Sequence, residues 1–564
     1  MKTKLVGIFV CMLLIVAVVL PATGTINEKT TWDNKVVTNQ TSRDYASGEF
    51  IVKLKKDMTF SRTLLTALNE KHQVYVYEKV FPNAEGTILD NIYLVYVPLE
   101  TDILSLVREY ASYPDVVYAE PNGIGSLCGI PNDANFSSQW SLYNTGQMIW
   151  NNTSGTPGAD IDAPEAWNIE TGNPDVVLAI IDSGIDYTHP DLSAKIWNNT
   201  DEIPGNGIDD DHNGYIDDVK GWDFYSNDND PKDGLGHGTM CAGIAAASTN
   251  NDIGIAGVCW NCTVMPVQIF NESGWGDVTQ AAAGIRYAAD NGADVCSMSF
   301  AFGWSFILKD AVDYAYSKGV FLCAAAGNAN SSGKGYPGGF ENVVAVAATN
   351  QNDGRCTPDD WGPGLGSEYG DWIEIAAPGN LIYTTLPTYH VTMNDWFGMK
   401  QNYDYGRYGT SFSTPMVAGV AALLLSKDPS LTPYEVEALI CGNVDPYISK
   451  EYIGTGRLNA QKALAALSSD IKVDINGGLG IEAVITNDGT SDIVGVDWQI
   501  HVEGGILGLV NKTVSGTVNI KAGESQTIST GLFFGFGSIV ISARADIVGK
   551  AVRGTQLVIY SMVK

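Results

Sequence analysis

Three segments of the sequence each place a chemically useful side chain at the end of a predicted element. Asp182 ends the apolar run that starts at Val177, His237 opens a helix rich in small residues, and Ser411 opens an apolar helix. A serine is a poor nucleophile until a histidine takes its proton, and the histidine needs a carboxylate to hold its tautomer. The three side chains together predict nucleophilic acyl transfer, with the helix start at Ser411 offering N–H groups to a developing anion.

Each segment also has a structural explanation when it is taken alone. Many strands end in aspartate, a histidine between glycines can cap a helix or pack in a core, and a serine at a helix start is a common N-cap. In the last segment Ser413 or Thr410 would serve as the cap equally well. The combination of all three types, in the order Asp, His, Ser, is what favours chemistry.

The motifs around these residues resemble those of the subtilisin-like serine proteases, or subtilases. They read Asp-Ser-Gly from Asp182, His-Gly-Thr from His237 and Gly-Thr-Ser-x-Ser-x-Pro around Ser411, and the resemblance covers roughly Pro131 to Leu467. It implies that Ser411 is the nucleophile, that His237 is the general base and then acid, and that Asp182 orients the imidazolium. It also implies that Asn328 donates a side-chain N–H to the oxyanion alongside the backbone N–H of the nucleophile.

The resemblance further implies a cleft in which two edge segments clamp an extended peptide or protein substrate as an added strand. Gly335 matches the small residue at the floor of the P1 pocket, and because no acid is recognisable there, we expect a large apolar or aromatic P1 residue. Ala301 stands where the family usually has glycine. The candidate substrate-binding residues are Gly274, Gly276, Ser299, Ala301, Gly327 and Gly335.

Two residues after the His-Gly-Thr motif set this chain apart. Met240 stands where the family usually has a second histidine, which is not catalytic. Cys241 resembles the proteinase K and kexin branches, in which a buried thiol lies beside the catalytic histidine. If Cys241 is a free thiol, mercurials should inhibit the protein.

An acidic loop between the Asp and His motifs has the pattern of a calcium loop. Its oxygen side chains alternate and Gly214 stands sixth, as in an EF-type loop, but Lys220 occupies the twelfth position, where an EF-hand has glutamate. The alternative is a solvated acidic loop. The candidate ligands are Asp209, Asp211, Asn213, Asp217 and Asp218.

A second calcium site is implied by the resemblance alone. Its side-chain ligands would be Asp191, Asn251 and either Asp133 or Gln139. Backbone carbonyls of Thr249, Ile253 and Ile255 would complete it. These hard oxygen ligands suit calcium better than zinc, so structural Ca²⁺ is the expected cofactor.

The composition excludes one class of partner. The 564 residues include 33 basic and 64 acidic side chains, a net charge of −31, which repels the phosphates of nucleic acid. A soluble surface, adaptation to salt and metal binding all remain open as explanations of the acidity. Cys259 and Cys262 have CxxC spacing without a second such pair, which favours a local disulfide or bridges to other loop cysteines over a zinc site.

We predict four parts of the chain. Residues 1–23 read as a secretory signal, with an uncleaved membrane anchor as the alternative, so we expect a secreted or cell-surface protein that does not span the membrane after the signal is removed. Residues 24–122 read as a linker and a small α+β module that resembles the subtilisin propeptide, a folding chaperone and inhibitor that would bind its own protease. Maturation is expected between Glu120 and Asn132.

Residues 123–468 alternate apolar strands with helices, which predicts an α/β domain with a parallel sheet covered by helices on both faces. Residues 469–564 contain short strands between turns, which predicts a β-sandwich that contacts a surface, a carbohydrate or a partner. A catalytically silent binding protein on the same fold is the rival interpretation. The complete set of Asp182, His237, Ser411 and Asn328 argues against it.

Overall fold

The computed structural model describes residues 45–563, apart from 57, 59, 61–64, 83, 99–100, 124–128, 151–152, 490–491, 506–508, 546–547 and 559. The predicted signal segment, residues 1–23, and Cys128 lie outside the described residues. The chain divides into two compact units, of which the first ends at Ser126 and the second begins at Leu127. In the described part, no helix has both the length and the apolarity needed to cross a membrane.

The first unit is a four-stranded antiparallel sheet with two helices. Its elements are β1 (Tyr45–Leu54), α1 (Thr66–Lys71), β2 (Val76–Lys79), β3 (Ile92–Tyr96), α2 (Ile103–Ala111) and β4 (Val116–Gly123). The strand order is β2-β3-β1-β4. Alternate residues of β1, such as Phe50 and Val52, pack against Leu106 and Tyr110 of α2.

The second unit is built on a seven-stranded parallel sheet. Its strands are β5 (Val177–Asp182), β6 (Trp222–Asp223), β7 (Thr263–Gln268), β8 (Val295–Met298), β9 (Phe321–Ala325), β10 (Val344–Thr349) and β11 (Ile375–Pro378), in the order β11-β10-β9-β8-β5-β7-β6. A hairpin of β12 (Asn380–Thr385) and β13 (Tyr403–Tyr408) follows. The helices are α3 (Ala163–Trp167), α4 (His237–Ala246), α5 (Val278–Asp290), α6 (Phe306–Ser317), α7 (Pro358–Trp361), α8 (Thr392–Phe397), α9 (Thr410–Lys427), α10 (Pro433–Gly442) and α11 (Ala460–Leu467).

Helices cover both faces of the parallel sheet, as predicted. Successive side chains of a strand point to opposite faces. Leu178 and Ile180 of β5 therefore join the core formed with α4 and α9, whereas Ala179 and Ile181 join the core formed with α5 and α6. The arrangement brings the start of α4 and the start of α9 to the end of β5.

The C-terminal strands form one antiparallel sheet in the order β17-β16-β19-β20-β21-β14-β15-β18. They are β14 (Ile471–Gly478), β15 (Gly480–Asn487), β16 (Ile493–Gly504), β17 (Val510–Ile520), β18 (Ser525–Ser529), β19 (Gly535–Ala545), β20 (Val548–Val558) and β21 (Tyr560–Val563). The strand-rich C-terminus is confirmed. Its two outermost strands, β17 and β18, contact each other, so the sheet curls around one core rather than separating into two stacked sheets.

Candidate active site

Asp182 and His237 meet at the carboxyl end of the parallel sheet. Asp182 is the last residue of β5 and His237 is the first residue of α4. The Nδ1 atom of His237 lies 2.8 Å from Oδ1 and 2.9 Å from Oδ2 of Asp182. Gly238 permits this approach, because a Cβ there would overlap the carbonyl oxygen of Gly184. The carboxylate holds the proton on Nδ1 and leaves Nε2 available as a base.

The protein environment favours the imidazolium form of His237. Burial by itself would lower the pKa of His237, but the Asp182 carboxylate raises this pKa well above its ordinary value. Asp182 is 2% exposed, so water screens its charge poorly. A positive charge that forms on His237 during a reaction is therefore stabilised.

Ser411 lies at the start of α9, beside the end of β8. Its hydroxyl donates to the carbonyl oxygen of Ser299 at 3.1 Å, and the Ser299 hydroxyl donates back to the carbonyl oxygen of Ser411 at 2.8 Å. The hydrogen bond from Ser411 to His237 is therefore not made in this structure. Such bonds often tighten only in the substrate complex.

The hydroxyl groups of Ser413 and Thr410, at the same helix start, bond to other groups. Ser413 is fully buried and donates to the carbonyl oxygens of Ala377 and Pro378 at 2.9 and 3.1 Å. Thr410 is also fully buried and donates its hydroxyl to Asn328 at 3.0 Å. These bonds separate their structural roles from that of Ser411.

Asn328 follows β9 and turns its amide toward the start of α9. Its Oδ1 accepts the backbone N–H of Thr410 at 2.9 Å as well as the threonine hydroxyl. A Cβ built on Gly409 would lie 3.6 Å from the Ser411 nitrogen and 3.7 Å from Nδ2 of Asn328. Gly409 has no side chain and φ +154°, so the point that its Cβ would occupy is empty. The Ser411 nitrogen and Nδ2 of Asn328 both border this point. An oxyanion needs such a pair of donors.

The predicted substrate segments occupy two groups. Ser299 contacts Ser411, the Gly327 nitrogen lies 3.1 Å from the Thr410 hydroxyl, and a Cβ on Gly335 would lie 2.9 Å from that of Ala301. Gly274 and Gly276 belong to a turn closed by Asn271, whose nitrogen donates to the carbonyl oxygen of Trp275 at 3.0 Å. The two groups are linked by Phe270, which packs under Gly276 and stacks edge-on against Phe300 at 5.6 Å.

Glu368 brings an acid to the predicted pocket wall, where the sequence had shown none. Its nitrogen donates to the carbonyl oxygen of Gly327 at 3.0 Å. A Cβ on Gly327 would lie 2.8 to 3.1 Å from the carboxylate atoms of Glu368. Burial raises the pKa of Glu368, and the hydroxyl of Ser331 donates to it at 3.3 Å. The backbone hydrogen bonds of Gly366 with Asn330 and Asn328 help to hold this segment at the wall.

The acidic loop gathers some of its predicted ligands and adds one. Ligand oxygens of Asp209, Asp211 and Glu202 all lie within 4.8 Å of one another. Glu202 lies outside the alternating pattern, so the pattern could not identify it. Asn213 donates to both Asp211 and Asp218 at 3.0 and 3.1 Å.

Asp217 is not brought into this cluster. Its two carboxylate oxygens accept the backbone N–H groups of Asn206 and Gly207 at 3.0 and 2.9 Å. Its backbone is left-handed, with φ 53°, so its side chain leaves the loop in a different direction from its neighbours.

The second predicted site brings Asp133, Asp191 and Asn251 together. Asn251 donates to Oδ1 of Asp191 at 2.9 Å, and the charge of Asp191 adds to burial in raising the pKa of Asp133. Oδ1 of Asp133 is buried without a hydrogen-bond partner. Gln139, the alternative to Asp133, uses both ends of its amide on the backbone of Ala256. Two buried carboxylates with an unpartnered oxygen fit a hard cation.

The described cysteines include one disulfide and several buried thiols. Cys259 and Cys262 form a local disulfide, one of the two predicted alternatives. Among the described residues, Cys241 is a buried free thiol, which is the condition for the predicted inhibition by mercurials. Cys296 and Cys323 are fully buried in β8 and β9.

Comparison with known proteins agrees with this architecture. A parallel sheet that carries an aspartate–histidine pair beside a serine at its carboxyl end defines a serine hydrolase. The model of the subtilase family matches residues 173–463, and that of the fervidolysin N-terminal prodomain matches residues 32–122. The chain belongs to the subtilase family and is a serine endopeptidase with an N-terminal prodomain.

Several relatives are similar over most of their own length. Thermitase of Thermoactinomyces vulgaris is 39% identical over 307 residues, which cover 54% of this chain and 93% of thermitase. A thermophilic serine proteinase of Bacillus sp. (strain AK1) is 34% identical over 366 residues, 64% of this chain and 76% of that protein. The halolysin-like extracellular serine protease Nep of Natrialba magadii is 31% identical over 362 residues, 63% of this chain and 57% of Nep.

Proposed function

We propose that the chain hydrolyses peptide bonds of proteins or peptides through an acyl-enzyme on Ser411. As Oγ of Ser411 attacks the scissile carbonyl carbon, Nε2 of His237 takes the hydroxyl proton and then gives it to the leaving amine when the C–N bond breaks. Water next attacks the ester, and its proton passes through His237 back to Oγ as the acid product leaves. Asp182 stays ionised throughout and stabilises the imidazolium.

The observation that carries the proposal is the empty point beside Gly409. The Ser411 nitrogen and Nδ2 of Asn328 border it at 3.6 and 3.7 Å, and Cβ of Ser411 is 3.6 Å away. We propose that the oxygen of a carbonyl attacked by Ser411 lies near this point, between the two donors. A capping serine or a silent binding protein does not require this arrangement.

The prodomain supports synthesis as a zymogen that processes itself. We propose that the cleavage lies between Glu120 and Asn132, because the match to the prodomain family ends within this segment, at residue 122. Secretion is supported by the apolar residues 5–20 that follow Lys2 and Lys4. It is also supported by relatives described as an extracellular protease and as the cell wall-associated protease of Bacillus subtilis.

Calcium is proposed as a structural cofactor at two places. Asp133, Asp191 and Asn251 would hold one ion, and Glu202, Asp209 and Asp211 would hold another, with Asn213 and Asp218 adjoining. When bound, Ca²⁺ neutralises carboxylates that otherwise repel each other and so stabilises the loops. It takes no part in the chemistry at Ser411.

The C-terminal sheet is proposed to contact a surface or a partner, since it lies outside the family match that ends at residue 463. It also packs on the catalytic part of the second unit. Asn443 at the end of α10 and Gly549 of β20 exchange hydrogen bonds of 2.9 and 3.2 Å. The sheet therefore contributes to stability as well.

A fluorophosphonate probe tests the proposed nucleophile. Secreted, processed protein is treated with the probe beside Ser411→Ala and Ser413→Ala, with and without a calcium chelator. We expect labelling of the wild type and of Ser413→Ala, none of Ser411→Ala, and weaker labelling after chelation. If the folded, processed wild type does not react, the proposed mechanism is wrong and the silent binding protein takes its place.

A further inference from the structure

A second buried aspartate lies behind the pair of Asp182 and His237. Asp233, four residues before His237, is fully buried. Its Oδ1 accepts the backbone N–H groups of Leu235 and Gly236 at 3.0 and 2.7 Å. Its Oδ2 accepts the N–H and the hydroxyl of Thr239 at 2.9 and 2.7 Å. The carboxylate thus accepts N–H groups just before and within the first turn of α4. His237 is the first residue of that turn.

The same carboxylate also holds the end of β5. Oδ1 of Asp233 accepts the hydroxyl of Ser183 at 2.9 Å, and Ser183 directly follows Asp182. The Ser183 hydroxyl in turn accepts the N–H of Gly238 at 3.0 Å. One side chain therefore connects the strand that carries the aspartate to the helix that carries the histidine.

The helix start depends on an outside carboxylate because its own N-cap residue has no side chain. Gly236 has φ +106° and offers no capping group, so the first N–H groups of the helix, which have no acceptor within it, need another acceptor. A carboxylate at a helix N-terminus also interacts favourably with the helix dipole. Among the groups that raise the pKa of Asp233 to about 6, burial comes first, and the nearby Asp182 adds to it.

The outer side of this loop is held by the segment around α8. Tyr389 donates its hydroxyl to the carbonyl oxygen of Asp233 at 2.9 Å. Met393 donates its N–H to the carbonyl oxygen of Leu235 at 3.1 Å, and Val391 packs on Gly236. The backbone of the loop is thus fixed from outside while the carboxylate fixes it from inside.

We propose that Asp233 is a positioning residue for the reaction, acting through Ser183 and the first turn of α4 to set His237 against Asp182. It touches neither the imidazole nor the substrate. A displacement of about 1 Å in a catalytic group can cost about 10²-fold in rate. The proposal rests on the proposed role of His237 as general base.

The test compares Asp233→Asn, Ser183→Ala and the double variant with a matched control, Asp186→Asn. Asp186 is another buried aspartate after β5, but its carboxylate, among the described residues, bonds to Thr188 and Thr388 instead. Each full-length precursor is processed in trans by untagged wild type, which is then removed. Active sites are counted by titration with the fluorophosphonate probe, so that misfolded protein does not affect kcat.

We expect Asp233→Asn to lower kcat about 10- to 100-fold with KM changed less than about twofold, since His237 acts in the transition state. Ser183→Ala should lower kcat less, and the double variant should be less impaired than the product of the two single effects, because both act through one connection. The downfield Nδ1 proton resonance of His237 should shift or broaden in Asp233→Asn. Asp186→Asn should lose thermal stability alone.

Wild-type kcat per titrated site in Asp233→Asn, with an unchanged Nδ1 resonance, would overturn the proposal and leave Asp233 as a helix cap. If Asp233→Asn does not fold, Ser183→Ala carries the test, and wild-type kcat in that variant has the same meaning. A wild type that does not react with the probe would instead refute the proposed function, so the two failures are distinguishable.

Discussion

The sulfur of Cys241 lies 3.9 Å from Nδ1 of His237 and 3.5 Å from the carbonyl oxygen of Ser411. It sits one helical turn after His237 on the buried face of α4, so the thiol adjoins two members of the proposed triad. Burial raises the pKa of Cys241, which keeps it a neutral thiol at ordinary pH. A soft metal bound to this sulfur would displace the imidazole.

We therefore expect mercuric chloride to abolish activity of the wild type and to leave Cys241→Ala active. The space between α4 and α9 is closely packed, so a mercury ion that binds there should displace His237 or Ser411. Residual peptidase activity against mercury concentration measures the effect. Cys296→Ala, which removes a buried thiol of β8, serves as the control and should stay sensitive. Equal sensitivity of Cys241→Ala would assign the inhibition to another thiol.

The raised pKa of His237 predicts how activity depends on pH. Catalysis needs the neutral imidazole, so kcat/KM should rise with pH through a midpoint above about 6.5, the ordinary value for histidine. Asp182→Asn should lower that midpoint and reduce kcat about 10⁴-fold, because the wrong tautomer then prevails. A midpoint at or below 6.5 in the wild type would contradict the expected effect of Asp182.

The free energy of unfolding should change in the opposite direction from activity over the same pH range. A histidine with a raised pKa in the folded state stabilises the fold fully below its unfolded pKa of about 6.5, and this contribution is lost as pH rises through the folded pKa. The free energy of unfolding of Ser411→Ala, which cannot digest itself, should therefore fall over the pH range in which wild-type activity rises. Asp182→Asn in the same background should remove most of that slope.

Asn328→Ala removes one of the two donors that border the oxyanion point. Loss of the equivalent donor in subtilisin costs about 10²- to 10³-fold in kcat, and we expect a loss of that size here with KM nearly unchanged. Steady-state kinetics on a peptide substrate measure it. Asn330→Ala is the matched control, since Asn330 lies two residues further on and bonds to Arg355 instead. An equal loss of kcat in both variants would indicate damage to the loop rather than to the donor.

Removal of calcium should lower the melting temperature. An ion at 100 times its Kd stabilises the folded state by about 2.7 kcal/mol per site. Glu202→Gln should lower the calcium dependence of the melting temperature partly, and Asp133→Asn should lower it independently, since each variant leaves the other ligand set complete. Asp201→Asn, an exposed neighbour of Glu202, should behave as the wild type. A melting temperature that chelator leaves unchanged would exclude both sites.

Gly549→Ala tests how the C-terminal sheet contributes to the second unit. A Cβ at Gly549 would overlap the carbonyl oxygen of Gly442, so β20 must move away from α10. We expect a loss of about 1–3 kcal/mol in the free energy of unfolding with kcat unchanged. Denaturant unfolding in the Ser411→Ala background measures the loss. Gly129→Ala, where the nearest atom is Asn168 Oδ1 at 3.8 Å, should cost much less. Equal stability of the two variants would mean that the junction adds little.

Local sequence predicted the parallel sheet and the elements that begin or end at the site. The run from Val177 to Ile181 is apolar and forms a strand buried on both faces that ends at Asp182. The segment Val278–Asp290 forms one of the helices that alternate with the strands. Such patterns depend on neighbours along the chain. The three motifs likewise predicted Asp182, His237 and Ser411 as the catalytic residues.

Contacts between distant segments could not be predicted in this way. Glu368 reaches Gly327, Glu202 joins Asp209, and Asp233 connects Ser183 to the start of α4, although none of these acids lies in a recognisable motif. Charge and hydrophobic patterns give the type of a local element, whereas only the packing of elements decides which buried oxygen meets which N–H group. The motifs along the chain thus predict which chemistry the protein carries, and the packing of the elements sets which side chains hold the catalytic groups in place.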